Sequence, residues 1–411
     1  MIMRPLHVNY VSDDETATIY DAVVIGAGPA GATAAHELAL RGRRVLLLDR
    51  AWRVKPCGGA VPPQLLVDFD VPESLLVAHI DTARIISPKS RTVDIPVGNG
   101  FVGMVDRDVF DEWLRVRAVS AGAERRTGTF TKYERGDDNI STITYTDGRS
   151  RQGEARQIRT RMLIGADGAL SPVARQCIPR ANEGKHVFAY HEIIKSPELE
   201  GDGFGAHRCD VYYQSPLSPD FYAWVFPHGA TTSIGTGSLQ RGFGLRDAVA
   251  QLRATTGLDR AETIRREGAP IPLKPLPQWD NGRDVIVAGD AAGVVAPASG
   301  EGIFYAMTGG RLAAEAVEEA LATGNAKALA SARKRFMRAH GSVFAVLDIM
   351  QSFWYRNDDR RERFVAICRD RDVQELTFDG YMHKQLVRAR LFAHVRIFFK
   401  NLAHLTGFAS A

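Results

Sequence analysis

Asp21-Ala22-Val23-Val24-Ile25-Gly26-Ala27-Gly28-Pro29-Ala30-Gly31 is the stretch that decides the fold. It begins as a short apolar run, which reads as a strand buried in a parallel sheet. It ends in a glycine-rich turn that opens a helix over residues 29–41. Arg44 to Asp49, with Val45-Leu46-Leu47-Leu48 inside it, reads as the next buried strand, so the segment is a βαβ start. Gly26 makes the tight turn, Gly28 lets a pyrophosphate approach, and Gly31 lets helix and strand pack closely; Pro29 and Ala30 lie between them at the positive helix end, where phosphate charge belongs. Asp49 ends the second strand, at the place of a ribose-binding acid, with Arg50 beside it. A bare Gly-x-Gly-x-x-Gly is only a strand–helix turn. With the strand, the helix and the acid in place, it reads as a dinucleotide site.

Soon after this unit comes Lys55-Pro56-Cys57-Gly58-Gly59-Ala60-Val61-Pro62-Pro63. Two glycines let the backbone come close to something flat or bulky, and three prolines stiffen the approach. The other cysteines, Cys177, Cys209 and Cys368, are remote and none forms CxxC, so neither a disulfide framework nor a thioredoxin-like pair is suggested. There is no zinc spacing. The net charge of +4 is too small an excess to argue for nucleic acid. With 411 residues, 45% hydrophobic, the chain has room for two domains. Residues 1–19 read as a polar leader without a secretory signal, and no apolar run reaches the ~20 residues of a membrane span. A reducing, cytoplasmic setting is expected.

Further on, 82–86 and 92–97 read as a hairpin around Pro88-Lys89-Ser90, and Asp106 as the cap of a helix to about Ser120. Residues 123–165 read as three antiparallel strands. The chain is β-rich and aromatic over 186–240, helical near 244–256, and extended to Pro272. Asp284 to Ala288 reads as another buried strand, and the chain is helical with breaks after Gly300.

Three later segments resemble those of the FAD-dependent flavoproteins that include the aromatic hydroxylases. Asp106-Arg107-Asp108-Val109-Phe110-Asp111 resembles their arginine-bearing helix start, which implies that Arg107 reaches cofactor phosphates. Gly165-Ala166-Asp167-Gly168, with Ser171 and Arg175, resembles their second strand–turn signature. Gly289-Asp290-Ala291-Ala292-Gly293 resembles the third, whose aspartate binds the FAD ribitol. A helix cap is the plainer role for Asp290, and both roles are compatible. No second Gly-x-Gly-x-x-Gly is present, so a nicotinamide donor is expected to dock transiently.

Over about residues 20–400 the chain resembles the geranylgeranyl reductases, in their chlorophyll and bacteriochlorophyll branch. The residues that carry the likeness are the Cys57-Gly58-Gly59-Ala60 loop, Gly289 to Gly293 running on to Pro297-Ala298-Ser299-Gly300-Glu301-Gly302, and a tail with Arg361-Glu362-Arg363-Phe364 and Val373-Gln374-Glu375-Leu376-Thr377-Phe378-Asp379. Asp49 stands where glutamate is common in FAD enzymes, and Cys-Gly-Gly-Ala replaces the Cys-Gly-Gly-Gly of some archaeal lipid reductases. The implied fold is α/β: a Rossmann-like FAD-binding domain (20–80, 101–175, 275–330) with an inserted antiparallel substrate sheet (hairpin 81–100 and 176–274) and C-terminal helices (331–411). Gly300, Gly302 and Ile303 would face the flavin pyrimidine, where a helix N-terminus stabilises negative charge.

The implied reaction is hydrogenation of isolated double bonds in a geranylgeranyl chain, carried as a pigment ester or a diphosphate, to phytyl. NADPH would reduce FAD, reduced flavin would give hydride to one alkene carbon, and the other carbon would take a proton. Aromatic faces stabilise positive charge by ~0.5–2 kcal/mol each. Strand alternation puts Tyr222, Trp224 and Phe226 on one face. The resemblance implies tunnel lining for Tyr222 and Trp224; for Phe226 core packing is equally open. Cys57 has three readings: proton source, packing group beside the flavin, or inert thiol. His186, His191, His207 and His228 are assigned no role. Leu391, Phe392, Val395, Phe398, Phe399 and Leu402 share one helical face, which fits peripheral membrane contact or packing on the core. An FAD monooxygenase and a flavin-bound pigment carrier are the competing functions.

Overall fold

The computed structural model describes residues 18–50, 55, 57–98, 100–148, 153–375 and 384. The polar leader to residue 17, part of the tail motif, and the amphipathic stretch 391–402 lie outside the described residues.

The opening strand, Ile19–Ile25, sits at the centre of a sheet. It pairs in parallel with Val45–Asp49 on one side and with Ala155–Gly165 on the other. Glu124–Arg135 and Val285–Val287 extend the parallel array outward. Val23, Val24, Leu46, Leu47 and Ile164 are completely buried, as parallel strands covered on both faces require. The helix Pro29–Leu40 lies on one face, crossed closely by Ile303–Thr323. Their closeness depends on Gly310, where a Cβ would come within 2.2 Å of the Ala30 carbonyl oxygen.

The reading of 123–165 as three antiparallel strands is half of what the chain does. Ser141–Asp147 is antiparallel to both long neighbours. Each long strand then changes partner midway. Glu124 to Thr127 run parallel to Leu46–Asp49, and Arg159 to Gly165 run parallel to Ile19–Ile25. At 12 and 11 residues, these strands are long enough to serve two ladders. Asp106 does occupy the N-cap position of the helix Arg107–Ser120, but its side chain makes no capping bond.

A second sheet has seven strands, in the order Thr263–Pro272, His186–Lys195, Thr231–Ser238, Ala223–His228, Arg208–Tyr212, Thr82–Ile86, Thr92–Pro96. All neighbours are antiparallel except Arg208–Tyr212 with Thr82–Ile86, where the expected hairpin joins in parallel. One face packs on the helix Leu245–Thr255 through Val225, Ile234, Val249 and Leu252. The other carries Tyr222 and Trp224 toward Tyr355 and Phe364 of the C-terminal region. A small third sheet of Ala60–Val61, Val102–Val105 and Leu76–Ile80 was not legible in the sequence. It anchors the chain directly after the Cys57 loop.

Candidate active site

A single cavity of about 800 Å³ lies between the two large sheets. It extends from the Gly26–Gly31 turn, past the Cys57 loop and the turn before the helix Ile303–Thr323, to the aromatic face of the second sheet. Every residue selected from the sequence lines it except Gly31 and Gly289, which stand behind the wall. A Cβ on Gly31 would come within 1.8 Å of the Gly26 carbonyl oxygen, and one on Gly289 within 2.6 Å of the Ala30 Cβ. Both therefore serve packing. Gly28 is different: nothing lies within 4 Å of where its Cβ would be, so open cavity meets the backbone there.

At this end the donors suit a phosphate-bearing group. The helix Pro29–Leu40 begins without a side-chain cap, which leaves first-turn N–H groups facing the cavity end. Asp49 accepts the Ala27 N–H at 2.7 Å, so one carboxyl oxygen holds the turn itself. Arg107 is forked on Asp111, with both bonds at 2.8 Å. Burial alone disfavours its charge, but Asp111 and the neighbouring Cys57 thiol hold its pKa above the ordinary arginine value. Arg115 is a residue the sequence reading missed. It is buried, lines the cavity, and donates to the Ala27 carbonyl at 2.9 Å. Its signal was present: Arg107, Asp111 and Arg115 recur at four-residue steps along one helix face. Asp167 accepts the Ser171 hydroxyl and the Val173 N–H, and burial pushes its pKa up to about 6. It therefore braces its own strand–helix turn while lining the cavity.

In the middle, Cys57 is half-buried, and its sulfur accepts the Gly59 N–H at 3.4 Å. The two glycines beside it are closed against protein. A Cβ on Gly58 would come within 3.1 Å of the Phe226 ring, and one on Gly59, at φ +73°, within 2.4 Å of His228 Nε2. On their Cβ side the aromatic strand therefore packs against the loop, which gives Phe226 two tasks, cavity wall and loop support. His228 is buried beside them, and burial pushes its pKa down to about 4. Asp290 takes the ammonium of Lys55 across the cavity wall.

The turn 296–302 is held from several directions. Tyr222 donates its hydroxyl to the Ser299 carbonyl at 2.6 Å. Tyr355 donates to the Ala298 carbonyl at 3.2 Å, and Gln351 accepts the Ala298 N–H at 3.2 Å. These bonds support a left-handed Ala298, φ +61°, a conformation that costs a non-glycine residue energy. Gly300 is also left-handed, and a Cβ there would stand 3.2 Å from the Tyr222 hydroxyl. Glu301 is buried and ion-paired with Lys384, whose ammonium also lies over Phe304 and Tyr305. Its other oxygen has no hydrogen-bond partner among the described residues. Sequence reasoning missed this pair because 83 residues separate its members.

At the far end the lining is apolar, with Ile85, Val211, Leu347, Met350 and Phe364 facing Trp224. His191 also lines it, beside Trp224 on the same sheet face. Among the described residues no cluster could hold a metal ion.

Residues 88–340 match the family described as FAD binding domain, and residues 24–63 match the NAD(P)-binding Rossmann-like domain. The chain is 55% identical to geranylgeranyl diphosphate reductase of Rhodobacter capsulatus, over 94% of this chain and 98% of that one. It is 36% identical to the chloroplastic geranylgeranyl diphosphate reductase of Oryza sativa, over 89% and 81%. Among solved structures, a geranylgeranyl bacteriochlorophyll reductase-like protein from Thermoplasma acidophilum superposes with a TM-score of 0.69 at 20% identity, over 92% of this chain and 95% of that one, and so shares the fold. A glycine turn open to an arginine-flanked cavity, an FAD binding domain over most of the chain and relatives of one kind along nearly its whole length lead to one assignment: the chain belongs to the geranylgeranyl diphosphate reductase family.

Proposed function

We propose that the protein is an FAD-dependent reductase that hydrogenates isolated double bonds of a geranylgeranyl chain to give phytyl, with NADPH as the electron donor. The observation that carries this reading is the continuity of one cavity, polar and arginine-flanked at the glycine turn and apolar at the aromatic sheet face. A dinucleotide and a polyprenyl chain would meet at its centre, beside Cys57 and Gly300.

Gly26, Gly28, Pro29, Ala30, Arg107 and Arg115 would hold the pyrophosphate end of FAD, Asp49 and Arg50 its ribose, Asp290 its ribitol, and Gly300 to Ile303 its ring. Bound FAD, reduced by NADPH, supplies hydride. Tyr222 and Trp224 wall the apolar end, exclude water, and offer ring faces to positive charge at the tertiary carbon of the alkene. Cys57, held by the Gly59 N–H beside the Arg107 guanidinium, assists protonation or placement of the substrate at the same point. The geranylgeranyl chain arrives as a pigment ester or a diphosphate. No helix among the described residues is long and apolar enough to cross a membrane, and contact with the membrane surface is part of this proposal.

The test is mass spectrometry of geranylgeranyl-bacteriochlorophyll after incubation with the FAD-loaded protein and NADPH. The expected product gains two hydrogens per bond reduced. Gain of oxygen would instead mark a monooxygenase, and an unchanged mass would defeat the proposal.

A further inference from the structure

Trp224, Gly235, His191 and Glu267 lie in one row across four neighbouring strands of the large sheet, each paired in register with the next. Ser233, two residues before Gly235, faces the same side. Contacts turn the row into a hydrogen-bond chain. Trp224 Nε1 donates to Ser233 Oγ at 3.1 Å. Ser233 Oγ lies 2.9 Å from His191 Nδ1, and His191 Nε2 lies 3.1 Å from Glu267 Oε2. The other oxygen of Glu267 takes Arg265 at 2.8 Å. An indole N–H only donates and a carboxylate only accepts. With the imidazole neutral, one arrangement therefore satisfies the chain: indole to serine, serine to Nδ1, and Nε2–H to Glu267.

Gly235 makes room for it. A Cβ there would come within 2.3 Å of the indole and 2.6 Å of the His191 Cβ. His191 is 3% exposed and Ser233 is fully buried. Trp224 and His191 line the cavity, while Ser233 and Glu267 stand behind its wall. With its oxygen engaged on both sides and out of the cavity, Ser233 is not placed to attack a substrate, so the trio is not a hydrolytic triad.

We propose that Glu267, His191 and Ser233 are positioning residues for Trp224. They turn the indole N–H into the sheet, present the ring face to the cavity, and enrich that face in electron density through a chain that ends on a carboxylate. Hydrogen bonds aligned in one direction polarise one another, and a richer ring face attracts a cation more strongly. The inference rests on the reductase reading, in which positive charge develops on the alkene.

The test is a double-mutant cycle on the full-length, FAD-loaded protein with a geranylgeranyl substrate and NADPH. Ser233→Ala and His191→Gln should each lower kcat by about tenfold with KM within about twofold, and neither should lower it further in a Trp224→Phe background. Ser233→Thr, which keeps the hydroxyl, should restore most of the rate. A readout without turnover is the Trp224 N–H band, isolated as the ultraviolet resonance Raman difference between wild type and Trp224→Phe. It should move toward a weaker hydrogen bond in Ser233→Ala. Equal losses in both backgrounds, unchanged kcat, or an unmoved band would overturn the positioning role while leaving the reductase reading intact. A wild-type protein that fails to reduce the substrate would remove the reductase reading and this proposal with it.

Discussion

The Tyr222 hydroxyl donates to the Ser299 carbonyl at 2.6 Å and so ties the aromatic strand to the turn that precedes the helix Ile303–Thr323. Through this bond, the wall of the apolar end and the proposed flavin-facing turn are set against each other. Tyr222→Phe keeps the ring and removes the bond. The expected loss of stability is about 0.5–1.5 kcal/mol, read as a Tm lowered by a few degrees. In the same variant kcat should fall more than KM rises, because the turn is displaced and not the substrate wall. An unchanged melt and rate would show that the bond holds nothing.

Lys384 and Glu301 make a buried ion pair, with Glu301 in the cavity wall. Lys384→Met leaves a buried carboxylate without its cation, which should destabilise by about 3–5 kcal/mol. Changing Glu301→Gln in the same protein should recover much of that loss, because no unpaired charge remains. Denaturant melts of the single and double variants check this, and a double variant no better than the single one would contradict it.

Cys57→Ala should retain FAD, since the cavity's phosphate end is untouched, and should lose turnover by at least about tenfold if the thiol assists proton delivery or substrate placement. Flavin absorbance and steady-state assay separate the two outcomes. Wild-type turnover in the alanine variant would sink the role.

Two desolvated groups make opposing contributions to stability in acid. Burial raises Asp167 to about 6, so the folded state binds its proton more tightly than the unfolded state does. Its contribution is fully present below about 4 and is lost as pH rises through 6. Burial lowers His228 to about 4, so its contribution is present above about 6.5 and is lost as pH falls through 4. Asp167→Asn should therefore leave a stability that rises more steeply with pH between about 4 and 6 than in the wild type. Thermal melts across that range decide it, and an identical slope would refute the assignment.

Truncation after Arg390 removes the amphipathic stretch that the helical spacing of Leu391, Phe392, Val395 and Phe398 predicts. The truncated protein should be released from lipid vesicles in a sedimentation assay while keeping its flavin. Continued vesicle binding would place the contact elsewhere.

Local pattern was enough for the βαβ start, the glycine turn, the hairpin at 82–96 and the alternation of Tyr222, Trp224 and Phe226, because each depends on neighbours within a few residues. It also located the segments that line the cavity: nearly all the residues selected from sequence meet there. Other features had no local signal. The long strands change partners midway, and Gly58 and Gly59 close on Phe226 and His228 from another sheet. Glu301 finds Lys384, and His191, unassigned from sequence as one histidine among several, becomes one link of a chain from Glu267 to Trp224. By itself the sequence determined which segments form the glycine turn and the other segments that meet at the cavity, and which are apolar, because helix starts, tight turns and alternation are short-range properties of the backbone. Only the tertiary structure decided what each polar group is paired with, because strand register and packing bring together residues far apart in the chain, and a buried donor or acceptor takes whatever partner that register supplies.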